Sequence, residues 1–546
     1  MMEVRKLLLP ALALLPLSAA AAQHEPHAGG PPSRLGTVHF ETSCSAAVRA
    51  DFDRAVALLH SFWFSAAIDG FSDVLRKDPG CAIAYWGIAM SQWGNPFAGA
   101  AGRSTSQLQQ GRASVEKAKA AAAKTQRERD YIGAVELLYL DFETKDNRTR
   151  TLAYEKAMAG LAATHADDPE ARIFYALSLD QTWLPSDKTY ANLLKAAEIL
   201  ERELERQPDH PGITHYIIHS YDVPALAERA LEAARRYAKI APDAPHALHM
   251  PSHTFTRVGS WQESIETNIA SAAAARKDGS TAEELHAYDY QVYAYLQSGQ
   301  DQAAQRVLEQ LEAARARLDI AAAGGGAPGA AGVFALAAIP ARYALERGAW
   351  KDAAALAPRP SRFAWADSLT HFARALGSAR SGDPVSARKD IATLAGLRDA
   401  LLKANDAFWA EQAEIQRKAA EAWTLAAEGK PAEALALMRA AADQEDGTEK
   451  SAITPGPLAP ARELLGEMLL ELGQPAEASI EFEKTMKKEP NRLRGLSGAA
   501  RAAELAGERA KAERYYARFL EICSNADRPG RPELAYARDF VSGKKP

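Results

Sequence analysis

Across 546 residues the chain has only three cysteines, Cys44, Cys81 and Cys523. That is too few for a disulfide-built scaffold, and no Cys-x-x-Cys pair offers a redox or zinc-ribbon site. Beyond the N-terminus no apolar run approaches the ~20 residues of a membrane-spanning helix, so the mature chain is expected to have no membrane span. Neither sign of charge dominates: 65 Lys and Arg face 70 Asp and Glu, for a net charge of −5. This balance argues against nucleic acid as a partner, because phosphate binding needs a local excess of basic side chains. β-branched runs are scarce, which excludes a sheet-rich fold. A Gly-rich phosphate loop, a nucleophile elbow and a His-Glu-x-x-His sequence are all missing. The familiar nucleotide-binding, serine-hydrolase and zinc-peptidase chemistries lose their signatures with them.

The first residues read as a targeting segment. Arg5 and Lys6 precede the short apolar stretch Leu7 to Leu17, and the small residues Ser18 to Ala22 follow. This is the pattern of a signal peptide over residues 1–22, cleaved after Ala22. An exported protein, periplasmic or secreted, is expected. Residues 23–40, rich in Gly, Pro and His, read as a flexible tail. In an oxidising compartment Cys44 and Cys81 are placed to form a bridge, with two buried thiols as the alternative; Cys523 is expected to stay unpaired.

From Ala47 onward apolar residues recur at three and four positions, the period of amphipathic helices. Pro-containing breaks return every few tens of residues, at Pro79, Pro169, Pro208, Pro242 and Pro490. A helical chain punctuated in this way is expected to be a solenoid. The unit is legible near the C-terminus. Gly466 stands where two helices cross, Gly473 makes the turn, Ala478 and Phe482 pack the second helix, and Pro490 ends the unit. Gly498, Gly507, Ala512 and Tyr516 repeat the theme, as do Ala67, Phe71 and Pro79 near the N-terminus. The sequence therefore resembles the tetratricopeptide-repeat (TPR) superfamily. The expected fold is all-α, a TPR-type solenoid of helical hairpins forming a right-handed superhelix. Two blocks are expected, residues 41–320 and 334–546, joined by a Gly/Ala-rich linker or loop over residues 321–333.

Histidine is unevenly placed: seven of the 13 lie between His210 and His286. His215 and His219, and again His249 and His253, are four apart, so each pair shares one helix face. Counted from Pro208 and Pro242, both pairs fall at equivalent positions of successive units, and the TPR resemblance implies that these positions line the concave groove. The same frame adds Asp222 and Arg257, Asp180 and Trp183 from the preceding unit, and His286 and Asp289 from the following one. Three functional readings follow. One is a groove that binds a protein, a peptide or a small polar ligand. Another is a metalloprotein, extending to a metal-dependent hydrolase, in which His215, His219, His249 and His253 hold a divalent ion such as zinc. Inert scaffolding of envelope proteins is a third. Met250-Pro251 counts against the metal, since a break there would separate His249 from His253, and the sequence favours a binding protein over an enzyme. Elsewhere, the aromatic block around His60, Trp86 and Trp93 reads as core, and His371 as structural.

The strings Leu58-Leu59-His60-Ser61-Phe62-Trp63, His215-Tyr216-Ile217-Ile218-His219-Ser220-Tyr221-Asp222 and His246-Ala247-Leu248-His249-Met250-Pro251-Ser252-His253 resemble those of a group of bacterial exported TPR proteins. The resemblance implies fold and export and carries no activity. Ala461-Arg462 departs from it, since Ser-His is expected there.

Overall fold

A computed structural model describes residues 34–98, 103–320 and 325–544. The expected signal peptide and residues 23–33 of the expected tail lie outside the described residues. Among those described there are 27 α-helices, three short 3-10 turns and no strand. No helix among them is long and apolar enough to cross a membrane.

Local chemistry sets the helix starts. Ser104 with Gln107, and Thr125 with Glu128, form capping boxes that satisfy the first free N–H groups. Asp168 caps the helix Pro169–Thr182, with proline at the first helical position, where its missing N–H costs nothing. Successive helices then fold back on each other as hairpins, Arg49–His60 on Phe64–Lys77, Pro211–Ser220 on Leu231–Ile240, and Ala461–Glu471 on Pro475–Lys488. At the crossing marked by Gly498, an added β-carbon would stand 2.4 Å from the Phe482 ring. Only glycine permits that approach. The architecture is a TPR-type helical solenoid.

Two expectations about the ends of the blocks are corrected. The described part of the expected tail is packed: Leu35, Val38 and Phe40 are buried. The Phe40 ring lies 5.1–5.4 Å from those of Phe52, Trp86 and Tyr131. Burying such a ring stabilises the fold by about 1.5–3 kcal/mol, which outweighs the disordering tendency of its Gly- and Pro-rich neighbours. Nearby, a Cys44–Cys81 disulfide with Cα atoms 4.9 Å apart ties this segment to the helix Ala82–Trp93, while Cys523 is a buried free thiol.

Residues 321–324 of the expected linker lie outside the described residues, and the remainder, 325–333, is not a break in the stack either. Residues 329–333 begin the helix Gly329–Glu346, which packs directly on Thr281–Gln297. Residues 325–327 lie against Glu283 and His246. Small side chains, read as an inability to pack, instead allow close approach. Residues 34–544 accordingly behave as one compact unit.

The solenoid also closes on itself. Residues 447–460, between the helices Pro431–Asp446 and Ala461–Glu471, meet the loops after Pro169–Thr182 and Pro211–Ser220 and the helices Thr281–Gln297 and Gly329–Glu346. Glu449 meets Lys188 at 2.8 Å, Lys450 meets Asp222 at 3.4 Å, and Tyr290 donates to the Thr454 carbonyl at 3.1 Å. Arg342 donates to the Thr454 hydroxyl and to the carbonyls of Gly456 and Pro457 at 2.6–3.0 Å. Behind them Arg492, fully buried, joins Tyr293, Glu346 and Glu463 at 2.7–3.0 Å.

Candidate functional site: two buried histidine triads

Five of the histidines expected at the groove come together, joined by His246, which the list of candidates omitted. His215 and His219 stand on Pro211–Ser220. His246 and His249 share the short helix Pro245–His249, His253 lies on Pro251–Val258, and His286 on Thr281–Gln297. They form two groups, His215/His219/His246 and His249/His253/His286, within each of which one ring nitrogen per residue lies within 4.8 Å of the others. All six side chains are buried. Met250-Pro251 does not separate His249 from His253. Met250 keeps right-handed helical angles (φ −52°, ψ −37°), and Pro251 opens the next helix, where proline is tolerated.

The second triad shows which protons its rings carry. His249 Nδ1 lies 2.8 Å from the Asn268 side-chain oxygen, and the Asn268 amide is oriented by its own donation to the Ser264 carbonyl at 2.7 Å. His253 Nδ1 lies 2.9 Å from the Asp222 carboxylate. Both Nδ1 atoms face acceptors and must carry their hydrogens, so in the neutral rings both Nε2 atoms present lone pairs. Those two atoms are 3.1 Å apart. Two lone pairs at that distance repel unless a proton or a metal cation bridges them, and burial disfavours the proton. Two ligand nitrogens on a tetrahedral zinc, with bonds of about 2.0–2.1 Å, stand roughly 3.3 Å apart. His286 faces the backbone of Ile453, and among the described residues its Nδ1 has no hydrogen-bond partner.

The first triad fixes the tautomer of one ring of its close pair rather than of both. His215 Nδ1 donates to the His60 carbonyl at 2.7 Å, turning its Nε2 toward that of His219, 3.2 Å away. His246 Nδ1 donates to Glu283 at 2.6 Å. Its Nε2, buried, has no hydrogen-bond partner among the described residues. Buried polar atoms are rarely left so. The Phe62 ring stacks on His246 at 5.5 Å, and that of Phe97 on His219 at 4.0 Å. Phe62 holds φ +52°, a strained backbone for a bulky residue, of a kind that clusters at functional sites.

Electrostatics favour the neutral form of five of these rings. Burial, and then the neighbouring imidazoles, hold His215, His219, His249 and His286 well below the ordinary histidine range. Burial also lowers His253, though Asp222 opposes it. Burial alone would raise Asp222, but Lys450, Arg257 and His253 together draw its carboxyl well below the usual range. Lys450 is itself pushed down to about 8 by burial, against the pull of Asp222.

A third cluster, His60, Glu170 and His210, also gathers groups that could hold a metal but lacks the open valences of the triads. His210 Nδ1 accepts from the Ile213 N–H at 3.3 Å, so its Nε2 donates to Glu170 at 2.9 Å. His60 bonds Glu170 and the Tyr216 hydroxyl, both at 2.9 Å. With every ring nitrogen engaged, this cluster is structural.

The remaining expected residues fall around the triads rather than in them. Asp222 and Arg257 form an ion pair at 2.9 Å beside His253. Asp289 pairs with Arg342 at 2.8 Å under the closing segment. Asp180 accepts from the Ser220 hydroxyl at 2.8 Å, and burial raises its carboxyl well above the ordinary range. Trp183 turns away, donating to the Asp187 carbonyl at 3.1 Å. Arg462, at the departure from the resembling group, pairs with Asp446 and Glu481 at 2.7 and 2.9 Å. His371 bonds Asp390 at 2.6 Å. Sequence reasoning missed Asn268 and Glu283, which reach the site from other helices, and Lys450, which comes from the closing segment 447–460; none leaves a local pattern. The spacing of His246, three residues before His249, was the one signal available.

No protein-family model matches the chain, and no curated protein does. Among solved structures it is similar to the human IFIT1 dimer with PPP-AAAA, at 12% identity over 81% of this chain and 90% of that one, with a TM-score of 0.39. The IFIT1 dimer with m7Gppp-AAAA gives 12%, the same coverage and a TM-score of 0.36. The Naa15/Naa10 complex bound to HypK-THB gives 12% over 91% of this chain and 74% of that one, with a TM-score of 0.24.

Proposed function

We propose that this chain is an exported metal-binding protein that encloses a transition-metal ion in the interior of a TPR-type solenoid. The observation that carries the reading is the 3.1 Å opposition of the His249 and His253 Nε2 lone pairs, with both Nδ1 atoms already committed. Around it stand neutral imidazoles, the usual ligands of zinc, copper and nickel. Acceptors on the far ring nitrogens orient such ligands and raise their basicity. Export is supported by the signal-peptide pattern over residues 1–22 and by the Cys44–Cys81 bridge.

A groove open to a peptide at residues 180–293 is the less favoured reading. Residues 447–460 already lie against that stretch, and a peptide there would have to displace the ion pairs of Glu449 and Lys450. Hydrolysis finds little support as well. The carboxylates that touch the rings, Asp222 and Glu283, orient His253 and His246, and Asp289 is ion-paired with Arg342.

The test is metal analysis of tag-free full-length protein beside His253→Gln. Stoichiometric metal in the parent, and less of it in a folded variant, is expected. A parent that takes up no transition metal, and shows no metal-induced rise in Tm, overturns the reading.

A further inference from the structure

We infer that the two triads are loaded with copper as a pair, one copper(I) ion on His215, His219 and His246 and a second on His249, His253 and His286. This rests on the metal reading above and adds the number and kind of the ions.

The number follows from the first triad having its own unsatisfied chemistry. His246 is 4% exposed, and its Nε2 is without a partner among the described residues, beside the close Nε2 pair of His215 and His219. The triads are contiguous. The His246 and His249 rings, on one short helix, are 5.9 Å apart, and those of His219 and His253 are 6.0 Å apart. Each triad has one carboxylate behind it, Glu283 on His246 and Asp222 on His253.

The kind follows from ligand count and charge. Each group contains three imidazoles, and among the described residues no cysteine or carboxylate joins either. Zinc on three imidazoles needs a water or other fourth ligand to close its shell, and calcium and magnesium require oxygen donors. Monovalent copper is satisfied by three nitrogens in a plane. The cost of burying an ion grows with the square of its charge, and the charge already present is unfavourable to dications. Asp222 is shared between Arg257 and Lys450, while Phe62 and Phe97 make the surroundings of the first triad apolar. Two monocations are far cheaper to hold here than two dications.

The experiment is an anaerobic titration of the tag-free full chain with the copper(I) complex of bathocuproine disulfonate, following loss of the complex's colour, with and without excess zinc. Two copper ions per chain are expected in the parent, and one in each of His246→Gln and His253→Gln, unaffected by zinc. A parent that binds one ion, lost in His253→Gln and kept in His246→Gln, overturns the pair while leaving the metal reading intact. Zinc displacing copper overturns the choice of metal alone. Uptake of no metal removes both readings. Should either variant melt at room temperature, Glu283→Gln and Asn268→Leu take their place, and each is expected to weaken only its own triad's ion. Equal weakening of both ions, or of neither, counts against two separate sites.

Discussion

Asp222 accepts from His253 Nδ1 with one carboxylate oxygen, at 2.9 Å, and with the other holds Arg257. It thereby fixes which nitrogen of His253 is free while neutralising cations in the interior. Asp222→Asn keeps the shape but leaves Arg257 and Lys450 without their counter-charge. Breaking a buried pair in this way is expected to cost about 3–5 kcal/mol, read as a lowered Tm. Metal affinity is expected to fall about 10–100-fold in the folded variant. An unchanged affinity would show that Asp222 does not orient a ligand.

Acidification is expected to destabilise the metal-free protein. His215, His219, His249 and His286 all titrate below the ordinary histidine value of about 6.5 in the folded chain. Below that pH the unfolded chain takes up protons that the folded chain refuses. Stability is therefore retained above 6.5 and lost as the pH falls toward the folded values, at up to about 1.4 kcal/mol per pH unit for each ring. Asp222, whose carboxyl is also lowered, adds a loss of the same sign in the carboxylate range. Melts at pH 7.5 and 5.5 check this, and an equal or higher Tm at 5.5 would mean that the rings are already protonated in the fold.

Gly326 lies on the His246 ring, where an added β-carbon would come 2.3 Å from Nδ1. Gly326→Ala is expected to cost about 1–3 kcal/mol through overpacking. It is also expected to weaken the first triad's ion while sparing the second. Copper stoichiometry and a melt of this variant distinguish a local displacement from general unfolding.

The Cys44–Cys81 bridge closes a loop between positions 37 apart in sequence. Its removal in Cys44→Ser/Cys81→Ser is expected to cost about 2–4 kcal/mol by freeing the unfolded chain. Denaturant unfolding with and without reductant measures it, and the double variant should no longer respond to reductant.

Much of the fold was legible because repeats advertise themselves locally: Pro208 and Pro242 mark unit ends, and helical spacing alone pairs His215 with His219 and His249 with His253. What was hidden is non-local. Glu283 and Asn268 reach the rings from neighbouring helices, and Lys450 arrives from the far half of the chain, so no spacing rule links them to histidine. The Gly/Ala-rich stretch misled for a physical reason. Small residues lack a packing signal in sequence, yet smallness is what lets Gly326 sit against an imidazole. Phe40 misled in the opposite sense, one large ring outweighing the Gly and Pro around it.

The rings are all made before residues 447–460 leave the ribosome, and those residues then roof the chamber. An ion captured by the nascent or partly folded chain would be sealed in when the solenoid shuts, and one arriving later must wait for the roof to lift. Uptake and release would then be timed by synthesis, secretion and breathing of the C-terminal half, giving this chamber the kinetics of a locked vault rather than of an open exchange site.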